Sequence, residues 1–274
     1  MAAVDLVVAA RVPERSWRSE ARAVRVVWWR DMVRFRGDRA RIVTALIQPL
    51  LFLLVLAPGL DTLSEAATDG VDLATFMFPG VLCMAMWFSG MISASSLVMD
   101  RELGFLREMT VAPVRRSSII LGKVLGGATI AWLQSVVFLA LAPLSGIRLT
   151  LSSVLTAAGV LAVLGIALTA VGFAFAWKVD SVQGFHAVMN LLLVPMWLLS
   201  GAFFPPSGAP GWLAAVMRAN PLTYGVAALR WALYGSAPEV GTGLPGPGVA
   251  IAVTLLAAVL AFGCDLLVMR GTSE

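Results

Sequence analysis

The chain has 274 residues, of which 59% are hydrophobic and 13% are charged, and its formal net charge at pH 7 is +4. Charged side chains this sparse cannot cover a water-soluble globule of such length, so most of the chain is expected to lie in lipid. The positive balance does not indicate nucleic-acid binding, because the basic residues gather at the edges of apolar runs and do not alternate with aromatic residues.

The N-terminal segment, residues 1–41, is predicted to stay in the cytoplasm. Its first apolar patch is interrupted by Asp5 and has no basic segment before it, which does not match a cleaved signal peptide. We therefore treat it as a cytoplasmic part of the protein that precedes the membrane domain.

The arginine-rich part of this segment predicts an amphipathic helix lying in the membrane surface. Apolar residues recur there every three or four positions, with arginines between them. The apolar face comprises Trp17, Ala21, Val24, Trp28, Met32 and Phe35. Aromatic rings suit the headgroup layer and anionic lipid attracts arginine, so the candidate membrane-interface residues are Trp17, Trp28, Trp29 and Phe35. A helix packed on a partner protein is the alternative interpretation.

Six apolar stretches are long enough to cross a bilayer, which takes about 20 helical residues. They lie near 42–60, 76–98, 118–143, 151–177, 183–204 and 248–268. We therefore predict an all-α membrane domain over 42–268, with six transmembrane helices and a short cytoplasmic tail at 269–274.

The loop charges predict the orientation of these spans. With the N-terminus inside, only Arg148, Arg218 and Arg230 among the basic residues fall outside. The first external loop carries four acidic residues and no basic one: Asp61, Glu65, Asp69 and Asp72. This asymmetry follows the positive-inside rule, and six spans return the C-terminus to the cytoplasm.

A charged segment, residues 100–123, separates the second and third spans. Asp100 is placed to cap a short helix, Glu102 lies in its first turn, and Pro113 ends it. Leu103 and Leu106 fall on one side of this helix, with Phe105 at the flank. A helix so short and amphipathic is not stable alone, so we expect it to dock on another surface.

The segment after the fifth span predicts two short helices at the outer leaflet. Pro205, Pro206 and Pro210 end the span, and the apolar pieces that follow are too short to cross. A seventh span there would have to bury Arg230, which is costly in a membrane.

No energy source is evident in this sequence. It has no phosphate-binding G-x-x-x-x-G-K-[ST] motif, and the G-x-G-x-x-G match at 241–246 has no strand before it. Among acidic residues only Asp265 falls inside a predicted span. The energy for transport is therefore expected from a partner.

Enzyme chemistry is also disfavoured. His186 is the single histidine, and Ser200 lies too far along the same predicted helix to meet it. No metal-binding motif is present, so neither catalytic nor metal-binding residues are predicted.

The fifth span carries the most polar stripe in the membrane. Gln183, His186 and Asn190 share one side of it, and with Trp197 they are candidates for the substrate pathway. Hydrogen bonding between helices is the competing explanation. Gly122 and Gly126 form a G-x-x-x-G pattern in the third span, which favours close helix packing.

Three stretches together resemble the permease subunits of ABC-2 type exporters, near the daunorubicin-resistance type. They are the charged segment 100–123, LSGAFFPP at 199–206 and NPLTYGVAALR at 220–230. The resemblance implies the ABC-2 exporter fold and a separate cytoplasmic ABC ATPase in two copies. It also implies a second permease copy, for which a homodimer is expected.

The same resemblance implies that the loop between spans two and three holds an ATPase-coupling helix. Its residues are Arg101, Glu102, Leu103, Gly104, Phe105, Leu106, Arg107 and Glu108. This chain itself is then expected to hold no cofactor, with ATP and Mg on the partner ATPase. It is expected as a multi-pass protein of the bacterial plasma (inner) membrane.

The function implied is export of a hydrophobic or amphipathic substrate, such as a drug, an antibiotic or a lipid, by alternating access. Export of a lipid-linked glycan or polysaccharide is the alternative, and an ion-coupled secondary transporter is a weaker one.

Overall fold

The computed structural model describes residues 16–56, 73–104, 115–235 and 243–271, and within these ranges it contains helices and no strand. The described part of the chain thus confirms the all-α prediction. Its nine α-helices are α1 (Trp17–Gly37), α2 (Arg39–Leu51), α3 (Leu73–Glu102), α4 (Arg116–Leu139), α5 (Leu151–Ala176), α6 (Val182–Leu198), α7 (Gly211–Ala219), α8 (Pro221–Tyr234) and α9 (Pro247–Gly271). A π-helix (Phe52–Leu56) continues α2, and 3₁₀ turns lie at Ala142–Ser145 and Pro206–Gly208.

Short polar side chains set the starts of several helices. Ser16 with Ser19 and Thr150 with Ser153 form reciprocal capping boxes at the starts of α1 and α5. Ser181 accepts a hydrogen bond from the backbone at the start of α6. These side chains satisfy backbone N–H groups that have no partner inside the helix.

Helix α3 lies at the centre of the bundle. Within its most apolar stretch of 18 residues, 83% of the residues are buried inside the protein, so the neighbours of α3 are helices and not lipid. Helices α4 and α5 pack along it, and α6, α2 and α8 contact it as well. Phe78 of α3 stacks on Phe138 of α4, with ring centroids 5.8 Å apart.

The three helices α3, α4 and α5 meet closely around Gly127. A Cβ atom at this position would lie 2.7 Å from Cγ2 of Thr169 and 2.9 Å from Cβ of Ser93. Only glycine leaves room for this approach, a common device where helices pack inside membranes. The three helices consequently form one tightly packed unit.

Four helices in the described ranges are long and apolar enough to cross a membrane: Leu73–Glu102, Ser117–Leu139, Leu151–Ala176 and Pro247–Leu267. They correspond to the second, third, fourth and sixth predicted spans. The first and fifth predicted spans fall on shorter apolar helical stretches, Ile42–Val55 and Val182–Leu198. The count of six spans therefore stays a prediction.

Helix α9 packs on α5 and α8, and much of its remaining surface is exposed. Only 28% of the residues in its most apolar 18-residue stretch are buried, and the exposed side chains include Leu256, Val259 and Leu260. An apolar helix with so much bare surface is typical of a span that faces lipid.

The two short helices predicted after the fifth span are present as α7 and α8. Helix α8 packs against α5, α9 and α3, and residues along most of its length are buried. Arg230 on α8 is 3% exposed. The cost of burying Arg230 in lipid was expected to oppose a seventh span; α8 is a short helix, and it buries this arginine among protein groups whose contacts explain why.

Candidate coupling site

The predicted coupling segment is only partly described. Phe105, Leu106, Arg107 and Glu108 lie outside the described residues. The structure describes the two flanks of this segment, which are the end of α3 up to Gly104 and the start of α4. Both flanks carry specific polar contacts to other parts of the protein.

The prediction that Asp100 caps a new helix, with Glu102 in its first turn, was wrong. Helix α3 continues without a break to Glu102, so both residues lie in its last turn. A carboxylate near a helix C-terminus is unfavourable on its own. Cations from two other helices offset this cost, and residues distant in sequence supply them.

The main partner of Asp100 is Lys123 of α4. Its Nζ lies 2.5 Å from Oδ2 of Asp100, and the side chains are 2% and 6% exposed respectively. Each charge is costly to bury without the other, so the pair constrains how α3 and α4 can move apart.

Helix α1 supplies two further cations to Asp100. Arg30 Nη2 lies 3.4 Å from Oδ2, and Arg34 Nη1 lies 3.7 Å from Oδ1. These arginine side chains are 43% and 50% exposed, so their contribution is weaker than that of the buried lysine. We call the group Asp100, Lys123, Arg30 and Arg34 the ionic junction, because it joins α1, α3 and α4.

Asp31 of α1 lies beside the ionic junction and behaves differently from Asp100. Its Oδ1 lies 3.4 Å from Arg30, and Oδ2 faces Gly126 of α4. Burial raises the pKa of Asp31 above its ordinary value of 3.8, although Lys123 and Arg30 act in the opposite direction. Asp31 therefore loses its proton less readily than an exposed aspartate does.

The end of α3 is tied to the loop between α5 and α6. Arg101 donates hydrogen bonds to the carbonyl oxygens of Trp177 (2.9 Å) and Val179 (3.1 Å), and its guanidinium lies over the Trp177 ring. Glu102 accepts a hydrogen bond from the Val182 backbone at 3.3 Å. Movement of the coupling segment would therefore reach the start of α6.

The start of α4 is tied to α1 through Glu20. Its carboxylate accepts a hydrogen bond of 3.1 Å from the Arg115 backbone and one of 2.6 Å from the Ser118 hydroxyl. Arg115 is the N-cap residue of α4 and makes no side-chain cap of its own. Glu20 therefore caps α4 from another helix, with a charge that suits a helix N-terminus.

Removing this cap is expected to loosen the start of α4. Glu20→Ala should lower the free energy of unfolding by about 1 kcal/mol, the usual cost of a lost N-cap. Thermal unfolding of the purified protein measures it. Glu20→Gln keeps an acceptor oxygen and should lower the free energy of unfolding by less. Equal decreases for the two variants would contradict a capping role.

The predicted packing role of Gly122 and Gly126 is confirmed. A Cβ at Gly122 would lie 2.8 Å from Cβ of Val27, and one at Gly126 would lie 3.0 Å from Oδ2 of Asp31. Both glycines thus face α1, which packs along α4. Trp28 supports the same contact by donating a hydrogen bond of 3.1 Å to Thr129.

The four candidate membrane-interface residues separate into two pairs. Trp28 and Phe35 turn towards the protein, whereas Trp17 and Trp29 are 77% and 57% exposed. Much of the apolar face predicted for α1 is therefore covered by α4 and not available to lipid. Sequence periodicity could not separate the two cases, because both need the same apolar spacing.

The substrate-pathway candidates all lie on α6, but the structure does not bring them together. Gln183 and Asn190 are exposed and His186 is partly exposed. Trp197 is 4% exposed, donates a hydrogen bond of 2.8 Å to the Gly80 carbonyl and packs on Phe203. Trp197 thus belongs to the protein core, and the polar stripe consists of the other three residues.

Polar side chains of the 220–230 stretch hold α8 against its neighbours. Asn220 donates a hydrogen bond of 2.6 Å to the Met196 carbonyl and caps α8 by accepting one from the Leu222 backbone. The Thr223 hydroxyl donates to the Met217 carbonyl at 2.7 Å. These contacts fix the turn between α7 and α8 to the end of α6.

Arg230 connects α8 to two other segments of the chain. Its guanidinium donates hydrogen bonds to the carbonyls of Gly201 (2.7 Å) and Phe76 (3.1 Å), and it lies 3.9 Å above the Phe76 ring. Carbonyl oxygens and an aromatic face replace the water that an arginine loses on burial. The buried charge therefore has a structural explanation.

The remaining ionisable groups in the described part of the chain are dispersed and offer no metal site. No group of three or more His, Cys, Asp and Glu residues there could hold a metal ion. Asp265 on α9 is fully buried, and neither carboxylate oxygen has a hydrogen-bond partner among the described residues. Cys83 is buried and Cys264 is exposed, both as free thiols.

Comparison with known proteins gives a consistent result. The model of the family described as ABC-2 type transporter matches residues 22–234. The chain is 26% identical to a daunorubicin resistance ABC transporter permease protein, DrrB1 of Streptomyces coeruleorubidus, over 79% of this chain and 76% of that one. It is 25% identical to a probable doxorubicin resistance permease, DrrC of Mycobacterium tuberculosis, over 73% of each chain. Nodulation protein J of Rhizobium meliloti is 27% identical over 86% of this chain and 88% of that one.

Proposed function

Because this chain belongs to the ABC-2 type transporter family, we propose that it forms the transmembrane pathway of an exporter that a separate ATPase drives through the segment between α3 and α4. Membership makes the chain an ABC exporter permease and a multi-pass membrane protein. It is not an enzyme itself, and its partner is an ABC ATPase.

The observation that carries this proposal is the anchoring of both flanks of the coupling segment. Arg101 and Glu102 connect one flank to the α5–α6 loop, and Glu20 connects the other to α1. The ionic junction joins the same helices just behind the segment. A force applied between these flanks would move α1, α3, α4 and α6 together.

We further propose that the ATPase contacts residues 101–108, with Phe105 and Leu106 as apolar anchors. ATP-driven closure of two ATPase copies would displace this segment in each of two permease copies, a homodimer. The helices would then alternate between inward-open and outward-open arrangements. In this proposal both termini and the coupling segment lie in the cytoplasm, six helices span the bacterial inner membrane, and ATP and Mg stay on the ATPase.

The substrate class we propose is hydrophobic or amphipathic, with drugs and antibiotics first. Two relatives are named for resistance to daunorubicin and doxorubicin, which supports this choice. The exposed polar stripe on α6 could line a pathway, because exposed polar groups in a membrane helix are costly against lipid.

The pathway role of the stripe predicts a selective loss of transport. His186→Ala with Asn190→Ala should reduce efflux of at least one drug several-fold and leave the assembled complex and its thermal stability unchanged. Drug efflux from cells or vesicles measures it. The matched control is Val188→Ala with Leu191→Ala, two exposed apolar residues of the same helix. Intact transport of every tested drug in the polar double variant would instead favour a packing role.

The ion-coupled alternative is separated from this proposal by its energy source. Collapse of the proton gradient with ATP maintained should leave export unchanged, because ATP hydrolysis drives it. Export that stops under these conditions, or that continues after ATP depletion, would support an ion-coupled carrier.

A further inference from the structure

Helix α1 has two faces, and the rest of the described protein covers only one of them. Val27 and Trp28 contact α4 on the covered side, where Phe35 is also buried. The opposite side presents six exposed residues at helical spacing of three or four positions: Arg22, Arg25, Val26, Trp29, Arg30 and Val33. We call this set the outer face of α1; its six residues line one shallow groove.

The outer face combines exposed apolar surface with positive charge. Val26, Trp29 and Val33 are 60%, 57% and 53% exposed, so they form a continuous apolar strip along the helix. Arg22 and Arg25 border this strip and form no salt bridge with any residue in the described ranges. The acidic residues of α1, Glu20 and Asp31, turn to α4 instead.

We propose that the outer face of α1 binds the headgroup of an anionic phospholipid in the surrounding membrane. The phosphate would contact Arg22 and Arg25, and the upper acyl chain would cover Val26, Trp29 and Val33. Charge complementarity selects this occupant, because a row of arginines beside apolar side chains matches an acidic headgroup joined to a hydrocarbon chain. Tryptophan suits the boundary between these two layers.

Arg30 places this lipid surface next to the ionic junction. Its guanidinium lies 3.4 Å from Asp100 Oδ2, an oxygen that already has Lys123 at 2.5 Å. The side chain is 43% exposed, so it is open to a phosphate from the outer side. A test of the lipid surface should therefore change Arg22 and Arg25 and leave Arg30 in place.

The test measures which lipid lies beside α1 in the full-length protein. Val33→Cys, in a Cys264→Ser background, is labelled with an environment-sensitive fluorophore and reconstituted in an equal mixture of phosphatidylglycerol and phosphatidylcholine. Brominated chains, which quench the fluorophore, are placed on one lipid at a time. We expect stronger quenching when the bromine is on phosphatidylglycerol, with a local preference on the order of tenfold that weakens at high salt.

Two charge variants decide the outcome. Arg22→Gln with Arg25→Gln should bring the quenching by the two lipids to equality. Arg148→Gln with Arg218→Gln removes the same charge from exposed residues elsewhere and should leave the preference intact. Equal quenching by both lipids in the unsubstituted protein would overturn the proposal. Protection of the fluorophore from both lipids by added ATPase would also overturn it, because a protein would then cover this face.

Discussion

Replacing Phe105 and Leu106 together by aspartate is expected to abolish co-purification of the ATPase with this chain, and with it all ATP-driven transport. The proposed anchors are apolar, and two carboxylates in a desolvated contact without partners cost several kcal/mol or more. Affinity capture of the tagged permease from cells that also produce the ATPase measures the loss. We expect a reduction of at least about a hundredfold in bound ATPase.

The control for this prediction is Leu144→Asp. Leu144 is 67% exposed and follows α4 at its opposite end, so it should not affect ATPase binding. Thermal stability of each variant separates lost contact from lost folding. A Phe105 and Leu106 variant that folds, binds the ATPase and transports would refute the placement of the coupling contact.

The second large effect is expected at Asp100. Asp100→Asn removes the carboxylate that lies 2.5 Å from the buried Lys123 Nζ, and breaking a buried ion pair from one side typically costs about 3 to 5 kcal/mol. This is a large share of the stability of an ordinary domain, so we expect a lower thermal midpoint and poor accumulation in the membrane. Thermal unfolding in detergent and the amount of protein in the membrane fraction measure the two effects.

A second substitution separates the effect on stability from the effect on transport. Adding Lys123→Met to Asp100→Asn removes the unpaired charge, and replacing a buried ion pair by apolar groups is often neutral for stability. We expect the thermal midpoint to recover while transport stays low, because Arg30 and Arg34 have lost their shared partner on α3. Recovery of both properties would limit the ionic junction to a structural role.

Asp31 provides the matched control, since it lies in the same cluster with a raised pKa. Because the folded state holds its proton more tightly than the unfolded state does, this group favours folding at low pH, and that contribution is lost as pH rises through its folded pKa. Asp31→Asn should therefore change the free energy of unfolding little near neutral pH. It should also make that free energy depend less on pH in the range where Asp31 titrates. A loss as large as that of Asp100→Asn would contradict the distinction between the two carboxylates.

Sequence periodicity and apolar length anticipated the positions of the helices well, because lipid requires long uninterrupted apolar segments. The spans predicted at 76–98 and 151–177 correspond to α3 and α5, and the short helices after the fifth span are present. The charge partners were not predictable from local pattern. Asp100 was taken for a helix cap because its partners, Lys123 and Arg30, come close only in the folded protein.

The same limit applies to the candidate site. Glu20 was not singled out, since nothing in its local sequence indicates that it caps α4, 95 positions away. The burial of Arg230 inside the protein was not predictable from local sequence, because the carbonyls that accept its hydrogen bonds belong to two other segments. Trp197 was grouped with the polar stripe by its place on α6, although its side chain packs in the core. Long-range contacts decide each of these cases.

The central claim is that the energy for transport enters from a separate ATPase through the anchored segment between α3 and α4. Proteoliposomes that contain the purified chain alone, or the chain with its ATPase, test it most directly with a fluorescent anthracycline and ATP. We predict accumulation against a gradient only when ATPase and ATP are both present. Uphill transport by the chain alone, with or without ATP, would contradict the account.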